Sequence, residues 1–358
     1  MDGLSQNILE SKFKMVSVSL VAKKAGVSIA TASRTLRDPM NLRTANQRRI
    51  IKIAKEFNYD FALVDENVAK TKQILFLSFK NSLTDTSLRI MSPMIVDGIE
   101  EPFSKLGYNL LVANVKDDEV PRCLLKNEVD GIIFHGRTSL EFYQNHIQRF
   151  PHVGIQHYNP LLNSSWVKTD NENISFQAIW HLHECGHRRI AFLASDMENR
   201  QTWERLAGYR AAMKFFGLKL DPRWEIVSEI GRREGYPYDN DLETLDFLPF
   251  LKPLVENAKP LTAIYCSDNF HARLAMDSLA KLGMKVPDDI SMVGIACELL
   301  LMDQRFFTCV CDKFQEVCSS AASLLIDIIS GKQKKPLTIL VRPELFIKNS
   351  VKKINASE

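Results

Sequence analysis

The chain has 358 residues, of which 45% are hydrophobic and 25% charged, enough to build two or three folding units with real cores. No run approaches the ~18 uncharged apolar residues of a membrane helix, and residues 1–15 lack the apolar block of a secretory signal. Those two absences exclude a spanning protein and predict a cytoplasmic one. The seven cysteines are irregularly spread, which suits reduced thiols better than a disulfide framework.

Charge is unevenly placed. Residues 12–55 hold eleven Lys or Arg against one acid, Asp38, a net of +10 in a chain whose total is +3, so the remainder is mildly acidic. A compact basic head on an acidic body is the electrostatic footprint of a polyanion binder.

Within that head, Ser17 can cap a short helix over 18–25 in which Val18, Val21, Ala22 and Ala25 recur at three- and four-residue steps. Gly26 then supplies the left-handed position that a sharp reversal needs. Val27 can fill the space between helices, and Ser28 caps a second helix over 29–36. There Ala32 and Leu36 face inward, leaving Ile29, Ala30, Ser33 and Arg34 outward. So slim a helix fits a major groove, with Arg34 able to reach guanine or phosphate and Thr31 and Ser33 suited to phosphate oxygens. After Asp38-Pro39 a third helix is predicted over 44–58, burying Ile50, Ile51, Ile53, Ala54 and Phe57.

The run Ala22-Lys-Lys-Ala-Gly-Val-Ser-Ile-Ala-Thr-Ala-Ser-Arg-Thr-Leu36, followed by Phe57-Asn58-Tyr59, resembles the N-terminal signature of the LacI/GalR family of bacterial transcription regulators. The resemblance implies DNA contacts from Ser17, Ile29, Ala30, Thr31, Ser33, Arg34, Asn41 and Tyr59. It also implies that the following segment folds on DNA and wedges a side chain into the minor groove. The usual leucine position there holds Val68, Phe61 replaces a proline, and Asp65 and Glu66 stand where small or basic residues are usual. Lys70 and Lys72 partly offset those two acids.

From Gln73 onward short apolar strands alternate with amphipathic helices. Strands are predicted at 74–77, 109–113, 131–134 and 153–155, then at 189–193, 262–265 and 291–295, with a helix over 93–106 ending at Gly107. Such alternation predicts an α/β body of parallel sheets in two halves, with a cleft at the strands' carboxyl ends. The segments Val129-Asp-Gly-Ile-Ile133, Gly186-His-Arg-Arg-Ile-Ala-Phe-Leu193, Arg205-Leu-Ala-Gly-Tyr-Arg210, 282–294 and Arg342-Pro-Glu-Leu345 resemble the same family's periplasmic-binding-protein-like effector domain. The predicted organisation is a tail at 1–15, a helix-turn-helix domain at 16–60, a hinge at 61–73 and an effector-binding and dimerisation body at 74–358.

The resemblance places Arg205 in the effector cleft, where a guanidinium fork suits paired hydroxyls or a carboxylate. Asp268 and Asn269 follow the strand ending at Tyr265-Cys266, where the family usually has the reverse order. Either order offers oxygens to a sugar-like ligand. Trp203 can stack on a ring or pack in a core. Two departures point away from a neutral sugar: Ala296-Cys297 replaces the family's aspartate, and the loop after the first strand introduces Lys80.

His181, His183, Cys185 and His187 carry no metal in this reading, because Gly186 breaks the helix between the two histidines at ligand spacing. Cys309, Cys311 and Cys318 read as small core residues. Neither a phosphate-binding glycine loop nor a Gly-x-Ser-x-Gly elbow is present, so no enzyme and no cofactor are expected. The sequence therefore predicts a homodimeric repressor that binds a double-stranded DNA operator and is controlled by a sugar-like or anionic effector. Two rivals use the same residues: a DNA-binding regulator without an effector, and a cytoplasmic small-molecule binding protein.

Overall fold

The structure, a computed structural model, describes residues 17–37, 42, 44–57, 59, 71–79, 91–116, 119–195, 200–228, 247–297 and 307–354. The chain divides into two units, Met1–Lys70 and Thr71–Glu358. The tail at 1–15, the connector at 61–70, and with them Asn41, Val68 and Lys80, lie outside the described residues.

Three helices are found among the described residues of the first unit. Helix α1 (Val18–Ala25) starts where the Ser17 hydroxyl accepts the Leu20 N–H at 3.3 Å, and stops at Gly26, left-handed at φ 66°. The Gly26 N–H donates to the Ala22 and Lys23 carbonyls, so the reversal is closed by backbone alone. Helix α2 (Ile29–Arg37) is capped by the Ser28 hydroxyl, which accepts the Thr31 N–H at 3.1 Å. Helix α3 (Ala45–Glu56) opens in a capping box: the Thr44 hydroxyl takes the Gln47 N–H, and the Gln47 side chain takes the Thr44 N–H. Val21, Ala22 and Ala25 of α1 meet Ala32 and Leu36 of α2 and Ile50, Ile51 and Ala54 of α3 in one small core, with Val27 packed against it.

The third helix differs from expectation at its end. It stops at Glu56, and Phe57 is exposed, with the Lys24 ammonium 5.5 Å above its ring. Tyr59 takes the interior place instead, only 5% exposed, its N–H bonded to the Ala54 carbonyl at 2.8 Å.

The second unit has two lobes, each built on a six-stranded sheet. The first sheet has the order β11-β5-β4-β3-β1-β2, from β1 (Gln73–Phe79), β2 (Asn109–Val115), β3 (Gly131–His135), β4 (His152–Ile155), β5 (Ser165–Thr169) and β11 (Thr338–Val341). The second has the order β12-β10-β9-β8-β6-β7, from β6 (Ile190–Ser195), β7 (Glu225–Ser228), β8 (Ala263–Cys266), β9 (Ser291–Ala296), β10 (Cys309–Cys311) and β12 (Glu344–Phe346). All pairs are parallel except β10 with β12, an antiparallel edge that the alternation did not predict. Period-two geometry divides each central strand between two cores: Ile74 and Phe76 of β1 join one cluster, Leu75, Leu77 and Phe79 the other.

Short helical pieces cover the first sheet, among them a π-helical turn Val96–Glu100, α4 (Glu101–Ser104), α5 (Arg122–Leu125), α6 (Leu140–Phe142) and a second π-helical turn Tyr143–Ile147. The second sheet carries α7 (Asn171–Glu184) and α8 (Arg200–Phe215) in one core and α9 (Leu248–Val255) and α10 (Asn269–Lys281) in the other. The chain crosses between lobes three times, after β5, after β10 and after β11. Consequently α11 (Phe314–Ile329) and β11 belong to the first lobe although they are near the C-terminus. Two successive halves, as the sequence suggested, thus exchange their last elements.

The conspicuous histidines are structural. His187 Nε2 meets the Lys352 carbonyl at 3.0 Å, His183 stacks on Phe216 at 4.9 Å, and Gly186 ends α7 at φ 94°. No metal-holding cluster occurs among the described residues. Cys309, Cys311 and Cys318 are buried, in keeping with their reading as core residues.

Candidate nucleic-acid interface and inter-lobe cleft

On α2 the inward side is committed to Ala32 and Leu36, so the outward side is free to touch a partner. Ile29 is 60% exposed, Ala30 and Arg34 are exposed, and Ser33 is half-buried. The Arg34 Nε donates to the Ala30 carbonyl at 3.3 Å, which lays the guanidinium along the helix surface. Thr31 shares a 2.8 Å bond between hydroxyls with Ser28, and Ser17 one of the same length with Ser19. In the same unit Lys23, Lys24, Arg48, Arg49, Lys52 and Lys55 are all exposed, while Glu56 is the one acid among its described residues. Tyr59, packed in the core, has little surface left for a phosphate. The unit offers a small-residue helix face on a cationic surface, which suits groove entry.

The second site lies where the lobes meet. Arg205 on α8 is buried; its Nε donates to Asn171 Oδ1 at 2.9 Å and its Nη1 to the Ser267 carbonyl at 2.6 Å. Asp268 caps α10, accepting the His271 N–H at 2.8 Å, and pairs with His271 Nδ1 at 2.7 Å. Burial pushes the Asp268 carboxyl up. The charge and hydrogen bonds of His271, with the Arg205 charge, outweigh that and hold it below the usual range. Asn269 is the first residue of α10. Trp203 is 57% exposed, which removes the core-packing alternative. Ala296 and Cys297 are buried at the end of β9, and neither position offers a carboxylate.

Several groups at this cleft were not singled out from sequence. Gln156, just past β4 at φ 61°, donates its side-chain amide to the Thr169 hydroxyl and accepts the Thr169 N–H, both at 3.1 Å. Thr169 in turn donates to the Asp312 carbonyl at 2.5 Å, so two of the crossings are tied together. Next to Gln156, His157 lies edge-on to His135, with ring centroids 4.8 Å apart. Burial, then the charges of Arg137 and Arg205, lower the His157 pKa to about 4, leaving it neutral at neutral pH. A rule that looks just beyond each strand's carboxyl end would have found Arg137 and His157, because β3 and β4 were both legible.

Lys168 on β5 of the first lobe meets Glu204 on α8 of the second at 2.5 Å, their side chains only 12% and 14% exposed. Glu204 also accepts from Asn171 Nδ2 at 2.9 Å and Arg200 Nε at 3.1 Å. Burial pushes the Glu204 carboxyl up, but hydrogen bonds from Lys168 and Asn171 and the Lys168 charge prevail and hold it below the ordinary range. The Tyr158 ring of the first lobe receives Arg200 at 5.0 Å and Lys168 at 5.4 Å. Together these contacts clasp the two lobes. Glu204→Ala should lower the body's melting temperature, because it strands Lys168. The loss should fall short of the ~3–5 kcal/mol of a fully dry pair, since water reaches both groups. A Lys168→Met/Glu204→Met double variant should recover much of it, and a single variant as stable as wild type would rule the clasp out.

A groove-entering helical head followed by a two-lobed α/β body with a polar cleft defines a DNA-binding transcription regulator of binding-protein construction. Residues 20–60 match the family model for bacterial regulatory proteins of the lacI family. Residues 88–230 match that for periplasmic binding proteins and the sugar binding domain of the LacI family, and 179–351 that for a periplasmic binding protein-like domain. In this order along the chain, the three matches make it similar to the LacI family of bacterial regulators.

Similar curated proteins include the HTH-type transcriptional repressor PurR of Vibrio campbellii, 25% identical over 350 residues, covering 95% of this chain and 100% of that protein. The HTH-type transcriptional repressor CytR of Escherichia coli K12 is 26% identical over 343 residues, covering 93% and 95%. Among solved structures, the complex of the transcriptional regulator CelR with cellobiose superposes with TM-score 0.63 at 21% identity over 94% of this chain and 99% of that one. The transcription regulator CcpA of Lactococcus lactis gives TM-score 0.60 at 18% identity over 78% and 100%. These structural likenesses carry the fold.

Proposed function

We propose that this protein is a homodimeric repressor in the cytoplasm that binds a two-part operator through α2 and responds to a small effector held between its lobes. The observation that carries the reading is the outward face of α2: Ile29, Ala30, Ser33 and Arg34 belong to none of the buried core of a unit whose described surface is strongly cationic. On this reading Arg34 contacts guanine or phosphate, Ser17, Thr31, Ser33 and Asn41 contact phosphates, and Ile29 and Ala30 meet thymine methyls. Tyr59 then acts from within the core, holding the end of α3, and Val68 supplies the minor-groove wedge. In the cleft Arg205 and Trp203 face the effector, with Asp268, Asn269 and Lys80 around it.

A single head of this size buries too little on DNA to be both tight and selective, and two heads read two half-sites. Val96 and Leu106, with Val112 on the edge strand β2, expose apolar surface that a second body would cover. Among the described residues no helix is long and apolar enough to cross a membrane, and all seven cysteines are free, which supports a reducing compartment. The relatives PurR and CytR are named repressors, which supports that direction of control.

A second reading, control without an effector, is favoured by the Lys168–Glu204 clasp, which closes the lobes with protein groups alone. One experiment separates the two: selection of bound duplexes from genomic fragments by the purified full chain, with and without a metabolite extract. The effector reading predicts an inverted repeat whose enrichment changes with the extract. An enriched repeat indifferent to the extract supports the second reading, and the lack of any enriched repeat contradicts both.

A further inference from the structure

The chain enters the second unit at Thr71 and Lys72, and both residues are fixed there. The Asp130 carboxylate accepts the Thr71 N–H at 2.8 Å and the Thr71 hydroxyl at 2.9 Å on Oδ1, and the Lys72 N–H at 3.0 Å on Oδ2. The Lys72 carbonyl accepts the Asn109 N–H at 2.8 Å. The Lys72 ammonium donates to the Leu106 carbonyl at 3.2 Å and lies 4.3 Å above the Tyr108 ring. Lys72 is left-handed at φ 57°. Residues with a side chain rarely adopt that conformation, and it lasts only where the surroundings over-determine it. The contacts on both residues do so here.

This anchor lies at the amino-terminal ends of β1, β2 and β3, the ends opposite the cleft. Gln73 opens β1, Asn109 opens β2, and Asp130 immediately precedes β3, with its N–H bonded to the Gln73 carbonyl at 2.8 Å. From there the ladder runs in unbroken parallel register, Gln73 beside Asn109 and Ile74 beside Gly131, up to Ser78 beside His135. Anchor and cleft floor are therefore two ends of one hydrogen-bonded sheet, and a movement of one end carries the other. The covalent path from that sheet to the head begins at Thr71, next to the boundary between the two units.

We propose that Asp130 is a positioning residue for operator binding: its hold on Thr71 and Lys72 fixes the direction in which the connector leaves the first lobe, and so the separation at which paired heads meet two half-sites. The inference rests on the reading of the protein as a dimeric regulator of a two-part operator. Asp130 acts through the connector and not by touching DNA, where a carboxylate would repel phosphate. Once the anchor is removed, Lys72 is released from its left-handed conformation and the entry to the body becomes a flexible joint. Each head then still reads its own half-site, but the pair loses its fixed separation.

Anisotropy titration of the full chain tests it, on the duplex selected from genomic fragments and on one with about two extra base pairs between the half-sites, which turn one half-site by ~70° about the duplex. The insertion should weaken wild-type binding by about tenfold or more, because one head loses its specific contacts. Asp130→Ala should bind the native spacing more weakly, and the insertion should then cost it roughly threefold or less. Its preference for a selected half-site over a scrambled one should stay as in wild type. A variant that merely destabilised the body would weaken both spacings alike. Thr71→Val, which keeps the shape and removes one hydrogen bond, and Lys72→Met, which removes the ammonium, should shrink the spacing penalty by smaller factors. They carry the test if Asp130→Ala does not fold. A wild-type spacing penalty in these variants overturns the proposal and leaves the regulator reading standing. A wild-type chain indifferent to the insertion contradicts the two-part operator, and the role of Asp130 with it.

Discussion

Leu36→Ala is expected to unfold the head and abolish DNA binding while the body's own melting transition stays where it is. Leu36 is 1% exposed and belongs to a small core with buried Val21, Ala22, Ala25, Ala32, Ile50, Ile51, Ala54 and Tyr59, against which Val18, Val27, Leu42 and Ile53 pack. A Leu→Ala change in a close-packed interior costs ~2–5 kcal/mol from lost transfer energy and the cavity left behind. Domains of about 40 residues seldom have that much to spare. The change is also silent in the second unit, which has its own four clusters. Calorimetry should therefore lose a small transition and keep the large one. A variant that still binds duplex DNA with wild-type affinity would show that the head's core is not what presents α2.

Gly208→Val should do the reverse. Gly208 lies on α8 where that helix crosses α7, and a Cβ added there would stand 2.6 Å from the Glu172 carbonyl oxygen and 2.8 Å from its Cα. Both obstacles are backbone, so no rotamer change relieves them, and α7 and α8 must separate. Overpacking of a well-packed core typically costs ~1–3 kcal/mol and more where backbone must move. The same two helices carry Asn171, Glu204 and Arg205, so a shift of α8 against α7 also dismantles the cleft. Most of the protein is expected in the insoluble fraction, with the soluble remainder melting several degrees lower. Wild-type solubility and melting would mean that the helices pack farther apart than the structure has them. This glycine sits in the Arg205–Arg210 segment, where the approach of α7 leaves no room for a side chain.

What could be read beforehand divides along a physical line. Ser17, Gly26, Ser28 and Thr44 are local signals, each deciding a helix end through one or two hydrogen bonds nearby in sequence, and each is where a helix begins or stops. The central strands were legible because a parallel sheet covered on both faces makes an unbroken apolar run. Strands β5 and β7 escaped because Lys168 and Glu225 interrupt theirs, charges that tertiary partners on α8 satisfy. The exchange of α11 and β11 into the first lobe depends on partners far away in the chain, such as Val341 beside Thr169. Phe57 and Tyr59 changed places for a similar reason, since which aromatic enters the core depends on where the chain turns after Glu56.

The cleft shows the same division. Arg205 and Asp268 stand out by position in a familiar pattern, whereas Lys168 and Glu204, 36 residues apart, become a pair only once two lobes face each other.

The central claim is that α2 reads DNA through its outward face, and Arg34→Ala in a fluorescence anisotropy titration tests it most directly. The full chain would be titrated against its selected duplex and a scrambled one at fixed salt. The account predicts that the variant, with the body's melting unchanged, loses ~1–3 kcal/mol on the selected duplex and far less on the scrambled one. Equal discrimination between the duplexes by variant and wild type would contradict it.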